Sequence, residues 1–174
     1  MEILDGKKIS NDIKSEIKAE VDKMKERGEK VPHLAAVIVG SDGASLTYVG
    51  SKVRSCERVG FESTLVQMPS TTSEQELLKK IEELNQDDNI DGFIVQLPLP
   101  DQIDTQKVIM AVHPDKDVDG FHPMNFGKMA LDMSTFIPAT PFGILELLER
   151  YKVDTKGKHT VVIGRSHIAV SYTH

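Results

Sequence analysis

Three apolar, β-rich segments alternate with segments of helical period, and this alternation constrains the fold more than any other feature. His33-Leu34-Ala35-Ala36-Val37-Ile38-Val39-Gly40 reads as a strand buried on both faces. Phe61 to Gln67 alternates and is rich in β formers, and Gly92 to Leu97 is a third strand, stopped by Pro98 and Pro100. Ahead of the first strand, Ile9, Ile13, Ile17, Val21 and Met24 fall on one helix face, with Asp5 placed to cap it and Gly28 to end it. Residues 45–59 fit a second helix, opened by Ser45 and closed by Gly60. Ser73-Glu74-Gln75-Glu76 is a capping box ahead of a helix carrying Leu77, Ile81 and Leu84. A short helix is expected over 105–112, and 113–136 reads as a long functional loop. Thr140-Pro141 predicts an N-cap with proline at the first helical position, in a helix running to about Tyr151 on Ile144, Leu147 and Leu148. His159 to Gly164 reads as a fourth strand.

Strands separated by helices imply an α/β fold: a mostly parallel sheet with helices on both faces. Ligands of such sheets sit beyond the carboxyl ends of the strands. Attention therefore falls on the turns after Gly40 and Gly164, the segment after Val95, and the 113–125 loop. A length of 174 residues suits one domain or slightly more. Lys and Arg number 21 against 27 Asp and Glu, a net charge of −6 with no basic cluster, which disfavours a nucleic-acid partner. No apolar run is long enough for a membrane helix, and the N-terminus has no signal-peptide pattern. One cysteine, Cys56, excludes an internal disulfide and a multi-cysteine zinc site, so a cytoplasmic protein is expected.

Tyr48 and Lys52 are four apart and share a helix face near the ligand end of the sheet. A lysine in a partly dry pocket can relay protons or polarise a water. The same spacing also fits a solvated lysine beside a half-buried core tyrosine. Tyr-x-x-x-Lys is shared with short-chain dehydrogenases, but Gly40-Ser41-Asp42-Gly43-Ala44-Ser45 is not their nucleotide turn. Gln96 ends a buried strand, where its amide needs partners: the Lys52 ammonium, a water, or loop backbone. Asp115, Asp117, Asp119 and Gly120 look like part of a calcium loop, but the closing acid would fall on Phe126, which excludes it. A carboxylate there can instead accept two N–H groups of a heterocycle. His113 and His122 have poor metal spacing and read as loop residues, so no metal is expected. Gly164-Arg165-Ser166 directly follows a predicted strand and could hold phosphate.

Five ordered stretches together resemble the bifunctional methylenetetrahydrofolate dehydrogenase/cyclohydrolase family. They are Ala44-Ser45 with Tyr48-Val49 and Lys52; Asp91 to Pro100; Lys116 to Phe121; Pro138-Ala139-Thr140-Pro141 with Gly143; and Val161 to Ser166. The resemblance implies a folate-site catalytic domain over 1–137, a linking helix over 138–154, and the start of a Rossmann-like NADP-binding domain over 155–174. It implies NADP-dependent oxidation of 5,10-methylenetetrahydrofolate and hydrolysis of the methenyl product to 10-formyltetrahydrofolate, in the one-carbon supply for purine biosynthesis. Lys52 would transfer protons in both activities, Tyr48 would pack on the aminobenzoyl group, and Gln96 would tune Lys52 and its water. Asp119 would bind the pterin edge. Pro138, Thr140 and Gly143 would form a wall between the domains, and Gly164, Arg165 and Ser166 would receive the phosphate end of NADP. A homodimer is implied as well. The other readings are a folate-binding, non-catalytic or interaction protein, and a lysine-dependent hydrolase or aldolase on a similar sheet.

Two departures from the family pattern stand out. Ala139 occupies a position that is commonly cysteine, which is expected to be tolerated. After Ser166 the family pattern continues into a helix and most of a nucleotide domain. Here Val170 stands where glycine is expected, and Ala169 to His174 resembles the family's next strand. Efficient hydride transfer is therefore not expected of these residues alone, since it needs the nicotinamide held about 3 to 3.5 Å from the folate carbon.

Overall fold

The computed structural model describes residues 3–40, 43–161 and 163, with the side chains of 44–46 left aside. Three strands, β1 (His33–Val39), β2 (Glu62–Met68) and β3 (Gly92–Val95), form one sheet in the order β2-β1-β3. Both pairings are parallel, so all three carboxyl ends lie at one edge. The registers run from His33 opposite Glu62 and from Leu34 opposite Gly92. The six helices described are α1 (Gly6–Glu26), α2 (Gly43–Val59), α3 (Glu74–Gln86), α4 (Thr105–Ala111), α5 (Pro123–Ala130) and α6 (Ala139–Arg150).

β1 explains the layering, because its side chains alternate between two cores. Ala35, Val37 and Val39 pack with Phe93 and Val95 against Leu77, Ile81 and Leu84 of α3 and Val108 of α4. Ala36 and Ile38 pack with Ile94 against Val49 of α2, with Val53 alongside. The expectation of a parallel sheet with helices on both faces is met. Among the described residues, no helix is long and apolar enough to cross a membrane.

Local signals work as the sequence predicts at several ends. The Asp5 carboxylate accepts the Lys8 N–H at 3.0 Å, and Gly28 follows α1 with φ +68°. Ser73 and Glu76 close both halves of the capping box.

Three expectations are corrected. The 113–136 segment is not all loop: it contains α5, capped by His122 with Pro123 in its first turn. Asn125 is its only buried residue, while Met124 and Phe126 are exposed, so no apolar stripe marked it. Thr140 is not the N-cap of α6. The first intrahelical bond runs from Phe142 N–H to the Pro138 carbonyl, and Pro138 is the cap residue without a side-chain bond. Any early helical position tolerates a proline, because the first N–H groups have no partner inside the helix, so Pro141 did not fix the start. The fourth strand is absent at residues 159–161 and 163, where the described sheet offers no neighbour to pair with.

Candidate active site

The site grows from the carboxyl edge of the sheet. β1 runs out at Val39, and α2 returns over the face carrying Ala36 and Ile38. Val49 is buried under α2, which turns Tyr48 and Lys52 outward on the same helix face. Tyr48 is 64% exposed, an unusual exposure for an aromatic ring in a folded domain. It offers a flat surface to whatever fills the space above it.

β3 ends at Val95, and the Gln96 N–H still donates to the Val37 carbonyl at 2.8 Å, so the sheet pins this backbone. The Gln96 amide is half-buried rather than buried. Its Nε2 donates to the Leu97 carbonyl at 2.7 Å, and its Oε1 accepts from Lys52 Nζ at 3.4 Å. The orientation follows from charge, because reversing the amide would set its NH2 against an ammonium. Lys52 has three N–H donors, and Gln96 engages one of them.

Asp119 arrives from a segment fastened beside β3. The Phe93 N–H donates to the Lys116 carbonyl at 2.9 Å, and Phe93 and Asp117 form a parallel bridge. Gly92 permits this approach, because a Cβ there would collide with Val118 Cγ1. Burial pushes the Asp119 carboxyl above its ordinary value; the Lys52 charge opposes that rise and the Asp117 charge adds to it. Gly120 has φ +68°, and a Cβ on it would sit 2.7 Å from the Phe136 carbonyl and 3.1 Å from Pro138. Pro138 is thereby buried against the loop, while Thr140 is exposed on the first turn of α6.

A groove of about 940 Å³ runs between α1, α2 and α6. Tyr48, Lys52 and Gly143 line it, together with Ala139 and Phe142. Cys56 also faces it, and burial pushes that thiol up, away from thiolate chemistry. The structure thus brings Tyr48, Lys52 and Gly143 to one groove, puts Gln96 in contact with Lys52, and sets Asp119 where the Lys52 charge acts on it. Gly164, Arg165 and Ser166 lie outside the described residues. Among the described residues there is no cluster of three or more His, Cys, Asp or Glu side chains that could hold a metal.

Two buried polar residues were missed by sequence reasoning. Asp117 read as a rejected calcium ligand, and Asn125 lay inside a supposed loop. The only available signal was that both flank Gly120 and His122 in a turn-rich segment.

A parallel α/β sheet with a lysine, an amide and a carboxylate converging beyond its strand ends defines a ligand-binding domain of the doubly wound kind. The chain belongs to the tetrahydrofolate dehydrogenase/cyclohydrolase family: its catalytic-domain model matches residues 4–119, and the model of its NAD(P)-binding domain matches 138–171. The bifunctional protein FolD of Flavobacterium psychrophilum is 83% identical over 168 residues, which is 97% of this chain and 57% of that relative. FolD of Christiangramia forsetii is 79% identical, over 97% of this chain and 56% of its own length. The crystal structure of FolD from Campylobacter jejuni superimposes with a TM-score of 0.93 at 42% identity, covering 97% of this chain and 60% of that one. The Trypanosoma brucei enzyme, complexed with NADP cofactor and inhibitor, gives 0.90 at 31% identity, covering 95% and 57%. The chain therefore spans somewhat more than half the length of the relatives it matches.

Proposed function

We propose that this chain supplies the folate-binding and proton-transfer half of a methylenetetrahydrofolate dehydrogenase/cyclohydrolase. The observation that carries the reading is the Lys52–Gln96 contact at the carboxyl edge of the sheet, with the partly buried Asp119 close enough for the Lys52 charge to act on it. Asp119 receives the N–H groups of the pterin edge, and Tyr48 stacks on the aminobenzoyl ring. Gly143, with Pro138 and Thr140 beside it, contributes to the wall facing the nucleotide domain.

In the hydrolytic step, a water oxygen bonds to the methenyl carbon and loses a proton. The hydroxyl so formed gives up its remaining proton and N5 gains one as the bond from that carbon to N5 breaks, leaving the formyl group on N10. Lys52 Nζ is the group that holds this water and relays a proton, giving one of its own N–H protons to N5 as it takes up one from the adding water, and Gln96 Oε1 fixes where Nζ stands. NADP, when bound, would accept the hydride in the oxidative step. The described residues alone do not form a dinucleotide cradle, since 159–161 and 163 are not strand. Gly164, Arg165 and Ser166 are proposed as its phosphate-end ligands on the family resemblance alone.

The division into 1–137, 138–154 and 155–174 belongs to the same proposal, as do a homodimer and a role in purine biosynthesis. An acidic chain with one cysteine supports a cytoplasmic setting. The test is Lys52→Met, assayed for methenyltetrahydrofolate hydrolysis and for tetrahydrofolate binding. Hydrolysis is expected to be lost with binding kept within about tenfold, or about 1.4 kcal/mol. Near-normal hydrolysis would refute the role of Lys52.

A further inference from the structure

The loop that carries Asp119 is held by a polar network centred on two buried side chains, Asn125 and Asp117. Asn125, on the first turn of α5, is 1% exposed. Its Nδ2 donates to the Pro114 carbonyl at 2.8 Å and to Asp117 Oδ2 at 3.0 Å. Its Oδ1 accepts from Thr135 Oγ1 at 3.0 Å. Both N–H groups and the carbonyl of this amide are thus engaged. Asp117 is itself buried, and its Oδ2 also accepts the His122 N–H at 2.8 Å. One amide therefore ties together the start of the loop at residue 114, its middle at 117, and the return at 135. Asp119 is two residues beyond Asp117, and Gly120 is wedged against Phe136 and Pro138 directly after it.

We propose that Asn125 is a positioning residue for Asp119: through Asp117 it sets the place of the Asp119 carboxylate, and with it folate affinity. This rests on the reading of Asp119 as a folate ligand. The physical reason is that a buried carboxylate keeps a single position only while its donors hold it. Without the Asn125 amide, Asp117 retains only the His122 N–H among the described side-chain and backbone donors to Oδ2. The 117–120 backbone then loses its fixed seat, and the Asp119 carboxylate loses its aim.

The experiment is a double-mutant cycle on the full chain, with tetrahydrofolate as the probe and its dissociation constant as the readout. Asn125→Ala alone is expected to weaken binding about tenfold. In an Asp119→Ala background the same substitution is expected to change binding less than about twofold, because the residue it acts through is gone. A purely structural role would lower the thermal midpoint and weaken binding by the same factor in both backgrounds, and that additive result would overturn the proposal. Unchanged binding in Asp119→Ala would overturn the assignment of Asp119, and this proposal with it. Should Asn125→Ala fail to fold, Thr135→Val removes only the hydroxyl that holds Oδ1. It is expected to weaken binding about threefold with Asp119 present and negligibly without it. Equal effects in the two backgrounds would again overturn the proposal.

Discussion

The two faces of the sheet are built to different standards. On the face covered by α3 and α4, twelve buried residues form one continuous core, from Ala35 and Val37 through Leu77 and Ile81 to Val108 and Val112. On the face covered by α2, the buried cluster among the described residues holds four, and a groove of about 940 Å³ opens between α1, α2 and α6. β1 and β3 feed both faces, β3 through Phe93 and Val95 on one and Ile94 on the other. The closed face packs the sheet against α3 and α4, and the open face carries Tyr48 and Lys52, the proposed site residues, exposed on α2. Tyr48 and Lys52 are exposed on α2 among the described residues, and Gln96 meets Lys52 where its N–H is held by the Val37 carbonyl at the end of β3. Along the groove, α6 meets α1 through polar ties: Arg150 reaches Glu16 at 2.8 Å, and the Tyr151 hydroxyl accepts the Asp5 N–H at 2.9 Å.

The largest separation between the faces is expected from Lys52→Met. It should abolish hydrolysis while moving the unfolding free energy by no more than about 0.5 kcal/mol, since Lys52 is exposed. A large stability loss, read by denaturant titration, would show that the open face also carries structural weight. Leu77→Ala on the closed face should do the reverse. A fully buried leucine replaced by alanine costs about 2 to 5 kcal/mol. The dissociation constant for folate, measured on the folded fraction, should stay within about twofold. Asp119→Asn tests the boundary between the faces. The folded carboxyl titrates above its ordinary value, so the folded chain holds this proton to higher pH than the unfolded one. Its contribution to stability is therefore full below the ordinary carboxylate range and is lost as pH rises through the folded value. Asp119→Asn should raise the thermal midpoint relative to the parent at neutral pH, and that advantage should shrink towards pH 3, while folate binding weakens. The smallest effect belongs to Glu16→Ala. It removes one end of an exposed ion pair, so the thermal midpoint should barely move, and the change should shrink further at high salt.

The alternation of strands and helices was legible in the sequence because each pattern has a local physical cause. Val37 and Ile38 sit in a run that is apolar at every position, as a strand buried on both faces demands, and Ser73 with Glu76 closes a cap from four adjacent residues. The Tyr48–Lys52 pairing was legible for the same reason, as a four-residue spacing within one helix. Other features were decided by tertiary structure. The start of α6 depended on where the Pro138 carbonyl lay, not on the Thr140-Pro141 signature. α5 showed no apolar stripe because its one buried side chain is an asparagine held by partners ten and eleven residues away. The Lys52–Gln96 contact joins residues 44 apart in the chain, and the partial burial of Asp119 depends on Gly92 admitting Val118 beside β3. Periodicity and capping act within a few residues and are written in the sequence. Burial, charge environment and the meeting of distant side chains exist only once the sheet has brought those segments together.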